Sequence, residues 1–333
     1  MGCEPVSNGA STQGVACVAD EPSAKWRASF RIGEVSLGLN ADQTFTRVLS
    51  PQIEPFHFQA AVCDLEIDLE WVASIPKPQG RLLFDSGSVW KLYEGPDGHQ
   101  FDFSSSVLGT EPYKRLHVDR DFRRGRILLN RSCFPDASRC NPLEYPLDEL
   151  MVMHRLGRER GVEVHAAGMR DGEGNGYLFL GHSGAGKSTT TRLWNQQHSM
   201  TVLSDDRIIL RLADGRQSEN SLDDVQTKHA QVWMYGTPWH GEAAFAAPQK
   251  ARIERLFILE HAPQSASDNK ITTLSGSRAV GEIMARSFLP FYDATSLENT
   301  MSFLQEIVAA IPCYRLEFRP DGSAVEAVRR FRT

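Results

Sequence analysis

The chain is 333 residues long, 41% hydrophobic and 23% charged, with a formal net charge of −6. That length suits two compact domains, or one large domain with an added module. The acidic balance gives no basic face of the kind nucleic-acid binders carry, so no nucleic-acid partner is expected. No apolar run reaches the roughly 18 residues of a membrane span, so no membrane partner is expected either.

Residues 1–24 are mostly small and polar and read as a disordered leader, without the basic start and apolar core of a signal peptide. Gly2 raises the question of myristoylation, but Val6 stands where that motif takes Ser or Thr. The six cysteines, Cys3, Cys17, Cys63, Cys133, Cys140 and Cys313, form no CxxC pair and no zinc spacing. Reduced thiols and a cytoplasmic location follow as the expectation.

Residues 25–145 read as a β-rich module. Residues 32–39 alternate weakly, and 65–72 carry an apolar residue at every second position. Short strands are expected over 81–84, 89–93, 100–103, 113–118 and 127–129. The run KLYEGPDGHQFDF, two aromatic-bearing segments around a Pro-Asp-Gly turn, predicts a hairpin. The cluster Arg123-Arg124-Gly125-Arg126 reads as a solvated loop. Nothing in this module has a catalytic pattern.

Residues 146–160 carry a helical apolar stripe, with basic residues toward the end and Gly161 beyond it. From there to 333 the pattern is α/β. Strands are expected at 162–167, 177–180, 201–204, 207–212, 232–235, 255–260 and 314–318, and helices at 188–197, 277–288, 296–311 and from Ser323 toward Arg330. A polar insert occupies 214–230.

Between the strand at 177–180 and the helix at 188–197 stands Gly181-His182-Ser183-Gly184-Ala185-Gly186-Lys187-Ser188, a match to G-x-x-x-x-G-K-[ST]. Glycines let successive N–H groups turn inward around phosphates, and the following helix adds the positive end of its dipole. Lys187 would reach the β and γ phosphates and the Ser188 hydroxyl would hold Mg²⁺, with Thr189 completing the nucleotide-binding set. The expected ligand is Mg-ATP. Asp205-Asp206 follow the next strand. Carboxylates at the end of a parallel strand face the same crevice as the loop, where one can hold Mg²⁺ and the other accept a hydroxyl proton. His165 on the preceding strand reads, by itself, as a structural residue. Gly236-Thr237-Pro238-Trp239-His240-Gly241-Glu242 is open between a rigid turn and a loop offering Glu242 to a metal and His240 to a proton.

LFLGHSGAGKS followed by LSDD resembles the catalytic domain of HPr kinase/phosphorylase, whose fold is shared with ATP-dependent phosphoenolpyruvate carboxykinase. The likeness covers about residues 162–318. It implies that His165, on a strand preceding the loop by the family's spacing, is an active-site residue. It also implies that one aspartate is the base for a substrate serine and the other serves the metal; we assign Asp205 to the first role and Asp206 to the second. The chain departs from the family in lacking the RGxG signature, with GTPWHGE in its place, in the run Thr189-Thr190-Thr191, and in its first module. The combination GHSGAGKSTTTRLW, LSDDRIILR and GTPWHGEA looks more like the HPr-kinase-related stand-alone proteins of peptide-modification clusters, some of which phosphorylate a serine on a precursor peptide. The resemblance thus implies a peptide or small-protein substrate bearing a serine, and a homo-oligomer. A carboxykinase-like reaction on a small carboxylic acid and a nucleotide-binding accessory protein without chemistry are the alternatives.

Overall fold

The structure, a computed structural model, describes residues 26–45, 49–109, 111–137, 140–197, 199–213 and 231–331. The leader at 1–24 and the polar insert at 214–230 lie outside the described residues.

The first sheet holds β1 (Trp26–Ile32), β2 (Val35–Ala41), β3 (His57–Phe58), β4 (Leu65–Val72), β5 (Arg81–Asp85), β6 (Trp90–Glu94), β7 (Gly98–Phe103), β8 (Lys114–Asp119) and β9 (Arg124–Asn130). Its order is β3-β1-β2-β4-β9-β8-β7-β6-β5, with β2, β4 and β9 parallel and the other pairs antiparallel. In β4 the alternation works as read: Leu65, Ile67 and Leu69 are buried while Asp68 and Glu70 face water. The hairpin at 91–103 forms as β6 and β7, Tyr93 pairing with Gln100. The stretch 32–39, in contrast, is the end of one strand and the whole front of another. Gly33 and Glu34, both with positive φ, turn β1 back onto β2.

Helix α1 (Leu147–Arg158) closes this module's core and leads into the second sheet. There, β10 (Gly161–Arg170), β11 (Asn175–Leu180), β13 (Arg207–Leu212), β14 (Val232–Gly236) and β15 (Lys250–His261) pair in a closed circuit, with β12 (Thr201–Ser204) beside β10. Strands β16 (Lys270–Thr273) and β18 (Cys313–Phe318) extend it beyond β15, and β17 (Ser287–Phe288) pairs β10. The helix read over 277–288 therefore ends early: α3 is Gly276–Met284, and the chain re-enters the sheet as β17. Helices α2 (Lys187–Asn195), α4 (Ala294–Ala310) and α5 (Ser323–Arg330) complete the domain.

Strand β11 shows how the sequence builds two layers on this sheet. Its period of two sends Leu178 and Leu180 toward α3 and α4, and Phe179 toward Trp194 of α2, all three fully buried. Burial of this kind contributes roughly 2 kcal/mol per side chain. Because β11, β15 and β18 run parallel, their C-terminal ends Leu180, His261 and Phe318 share one edge. β12, antiparallel to β10, ends on that edge as well. Among the described residues no helix is long and apolar enough to cross a membrane.

Candidate active site

The glycine loop leaves β11 at that shared edge. Gly181 donates its N–H to His165 O (3.2 Å), and Ala185 closes a turn onto His182 O (3.0 Å). Gly184 and Gly186 have φ of +79° and +96°, and a Cβ at Gly186 would lie 2.2 Å from Phe318 Cζ. Only glycine can stand there. His261 Nε2 donates to Gly184 O (2.8 Å), so the ends of β15 and β18 brace the loop from below. His182, Ser183 and Gly184 stay exposed while Ala185, Gly186, Ser188 and Thr189 are half-buried. α2 begins at Lys187, so its unpaired N–H groups and the positive end of its dipole open on the loop.

Lys187 is 6% exposed and curls back on the loop, donating to Gly181 O (3.0 Å) and His182 O (3.3 Å). Burial pushes its pKa down to about 8, against the opposing pull of Asp206. The Arg286 guanidinium, itself mostly buried, holds His182 below the ordinary histidine range. Two cations thus flank the loop, and an incoming phosphate would be favoured by both.

The sequence reading made Asp205 the base and Asp206 the metal carboxylate; their surroundings differ sharply. Asp205 is 1% exposed, and its oxygens accept N–H bonds from Gly241 (3.1 Å), Ala243 (2.9 Å) and Phe245 (3.2 Å). It is the post around which the chain after β14 is wound. Asp206 is half-buried and points the other way, Oδ1 accepting from His165 Nε2 at 2.8 Å and lying 3.9 Å from Lys187 Nζ. Burial works to raise the Asp206 carboxyl, but the His165 hydrogen bond and the charges of Arg207 and Lys187 outweigh it and keep it below the usual carboxylate value.

Behind Asp206 stands a set of residues that the sequence reading missed. Arg207 bonds Asp206 Oδ2 and donates from Nε to Glu149 Oε1 (2.8 Å), with Glu163 Oε1 at 3.6 Å and the Phe288 ring 4.0 Å from its guanidinium carbon. Glu163 is fully buried; desolvation and the neighbouring Glu149 carboxylate push its pKa well up. One cue was available: a glutamate in the otherwise apolar strand segment Val162-Glu163-Val164 must be paired or protonated. Glu149 had no such cue, since it sits among the apolar residues of α1.

The segment Gly236-Thr237-Pro238-Trp239-His240-Gly241-Glu242 is pinned at both ends. Thr237 Oγ1 donates to Arg207 O (2.8 Å) and Trp239 Nε1 to Asp148 Oδ2 (2.9 Å). Its amides hold Asp205, His240 lines a cleft, and Glu242 is exposed on the turn. Among the described residues no group of three or more His, Cys, Asp and Glu side chains is arranged to hold a metal. The cleft, of about 510 Å³, lies between the modules, with Ser50 and Gln52 on one side and Asp206, Arg207 and His240 on the other.

A phosphate loop at the carboxyl edge of a mixed sheet, with a buried lysine and a helix N-terminus behind it, defines a P-loop nucleotide-binding protein of mixed, strand-rich α/β architecture. A family described as an AAA domain matches residues 177–251, which take in the last four residues of β11, the loop, α2 and the aspartate pair. This is nucleotide-binding machinery of the kinase-like P-loop kind, consistent with phosphotransfer in general. No curated protein matches the chain.

Proposed function

We propose that the chain is an Mg-ATP-dependent phosphotransferase of the HPr-kinase-like type that phosphorylates a serine on a peptide or small protein. One observation carries the reading: Asp206 touches His165, lies 3.9 Å from the loop lysine, and forms part of the wall of an open cleft. A carboxylate between the phosphate cradle and an acceptor-sized space is what in-line transfer to a hydroxyl requires.

ATP would lie with its phosphates along residues 181–188, the γ-phosphoryl group nearest Lys187 and Arg286. The acceptor hydroxyl gives its proton to Asp206 while its oxygen bonds to the γ-phosphorus. The bond to the β–γ bridging oxygen breaks, and that electron pair leaves on ADP. Asp206, not Asp205, takes the proton, because Asp206 is half-buried on the cleft wall beside Lys187, whereas Asp205 is 1% exposed and walled in by three backbone amides. His165 orients Asp206 through its hydrogen bond. The Ser188 hydroxyl, half-buried on the first turn of α2, is a hard oxygen donor of the kind Mg²⁺ accepts beside phosphate oxygens and water. Mg²⁺ held there would neutralise charge on the β and γ phosphates.

The test is mass spectrometry of small proteins and peptides encoded beside the gene, after incubation with Mg-ATP and the enzyme or its Lys187→Ala variant. A phosphate on one serine, absent with the variant, is expected. Undiminished transfer by Lys187→Ala, or tight ATP binding with no acceptor modified, would overturn the assignment.

A further inference from the structure

Resting on that reading, the cleft beside Asp206 carries a statement about what the acceptor is. Its titratable lining comes from several segments: Glu144, Tyr145 and Asp148 at the entrance to α1, Asp206 and Arg207 at the start of β13, and His240 from the pinned turn. The guanidinium of Arg207 is spent within the protein, bonded to Glu149 and Asp206. The remaining wall is acidic and aromatic. The Glu144 side chain is 55% exposed, and among the described residues its Oε2 accepts from the Tyr113 hydroxyl at 3.1 Å and lies 3.7 Å from Lys114 Nζ. Lys114 is itself buried, and desolvation pushes its pKa down, so it offsets the Glu144 charge weakly. Tyr145, the next residue in the chain, is 58% exposed, the most open aromatic residue of the cleft lining, with its hydroxyl toward Arg207.

An exposed carboxylate and an open aromatic residue on the wall of one cleft favour a cation. An anionic acceptor would instead meet Glu144 and Asp206 with no unspent positive charge from Arg207 to receive it. We infer that the acceptor presents its serine hydroxyl to Asp206 with a lysine or arginine side chain beside it, held by Glu144 and Tyr145 at the seam between the two modules. The first module then contributes to acceptor recognition, through Ser50, Gln52 and the 141–145 segment, and the glycine loop supplies the phosphoryl group. Residues that read as a plain sheet module in the sequence thereby gain a role in specificity.

The experiment uses the full chain, Mg-[γ-³²P]ATP and two degenerate peptide libraries with a central serine, one flanked by Lys and Arg and one by Asp and Glu. Initial labelling rates are compared for the wild type, Glu144→Gln and Glu144→Lys. Labelling of the basic library should be about tenfold faster, a preference shrinking in Glu144→Gln and reversing in Glu144→Lys, as expected for one charge contact in a partly desolvated cleft. Equal or faster labelling of the acidic library overturns the inference, as does a preference that all three proteins share. No label on either library, with ATP hydrolysis still dependent on Lys187, also overturns it while leaving phosphotransfer standing. Loss of all Lys187-dependent chemistry would instead remove the functional reading beneath it. Because Glu144 also faces the buried Lys114, folding of both variants is checked by melting temperature, and if Glu144→Lys is destabilised the Glu144→Gln comparison alone decides.

Discussion

His165 and Asp206 are 41 positions apart in the chain, and their side chains meet at 2.8 Å, Nε2 to Oδ1. The contact is a consequence of register. β10 pairs with β13 so that His165 stands opposite Arg207, and Ala166 donates its N–H to Asp206 O. A slip of one residue would turn His165 to the other face of the sheet and leave Asp206 without its partner. On the other edge of β10, His165 O receives Gly181 N–H, so one strand position ties the carboxylate to the phosphate loop.

The two aspartates should therefore separate cleanly by mutation. Asp206→Asn removes the proton acceptor but keeps the shape, and should lower kcat by about 10²- to 10⁴-fold with ATP affinity little changed. Asp205→Asn removes charge from a buried oxygen pair held by three amides and should cost about 2–3 kcal/mol of stability. Steady-state kinetics beside thermal melts decide it. A stable but inactive Asp205→Asn, with an active Asp206→Asn, would reverse the roles proposed above.

Much of this domain was legible because local chemistry and global fold agree along it. The β11 run Tyr177-Leu178-Phe179-Leu180, the glycine loop and the helix after it each carry their own signal, and the strand ending at Ser204 delivers the aspartates to the correct edge. What was not legible depends on contacts distant in sequence. No spacing rule says that the amides of Gly241, Ala243 and Phe245 will fold over Asp205, and this leaves Asp206 as the aspartate that reaches the cleft. Nor does any local pattern reveal that Glu149 of α1 will meet Arg207, 58 positions later. The turn at Gly33 and Glu34 was missed for another reason: a weak alternation on either side hid a two-residue reversal.

The glycine loop yields a paired test of backbone strain against collision. At Gly184 an added Cβ meets nothing within 4 Å, so Gly184→Ala bears only the cost of positive φ, about 1–2 kcal/mol. At Gly186 the same φ penalty is joined by a Cβ 2.2 Å from the Phe318 ring. Gly186→Ala should therefore displace the loop and reduce ATP affinity far more than Gly184→Ala, as read by titration calorimetry. Equal losses would mean that the brace from β18 is immaterial.

Asp148 gives a pH dependence with a definite sign. Desolvation, opposed by the Trp239 hydrogen bond, raises its carboxyl pKa from 3.8 to about 6. An acid whose folded pKa is raised binds more protons folded than unfolded between the two values. Its contribution is most favourable below pH 3.8 and is lost as pH rises through about 6. At 1.36 kcal/mol per pKa unit the loss amounts to roughly 3 kcal/mol. The stability of the wild type minus that of Asp148→Asn should fall by about this amount between pH 4 and 7 in denaturant titrations. A flat difference would show that Asp148 titrates as an ordinary carboxyl.

The last prediction concerns the first module, whose sheet carries an ion pair in its interior. Arg115 of β8 and Asp102 of β7 are cross-strand partners, 1% and 4% exposed, joined by two hydrogen bonds, one from Nη2 to Oδ2 at 2.7 Å. Taking two charges out of water is costly, and the paired geometry roughly repays it, so the bridge itself adds little net stability. Its members are a different matter. Arg115→Met leaves Asp102 charged, buried and without its guanidinium partner, and should cost about 3–5 kcal/mol. Replacing both, as Arg115→Met with Asp102→Leu, removes the stranded charge along with the pair and should recover most of that loss. Chemical denaturation of the two variants and the wild type measures the difference. If the double replacement is as unstable as the single one, the pair is held by a requirement other than charge compensation, and the packing between β7 and β8 is where that requirement would lie.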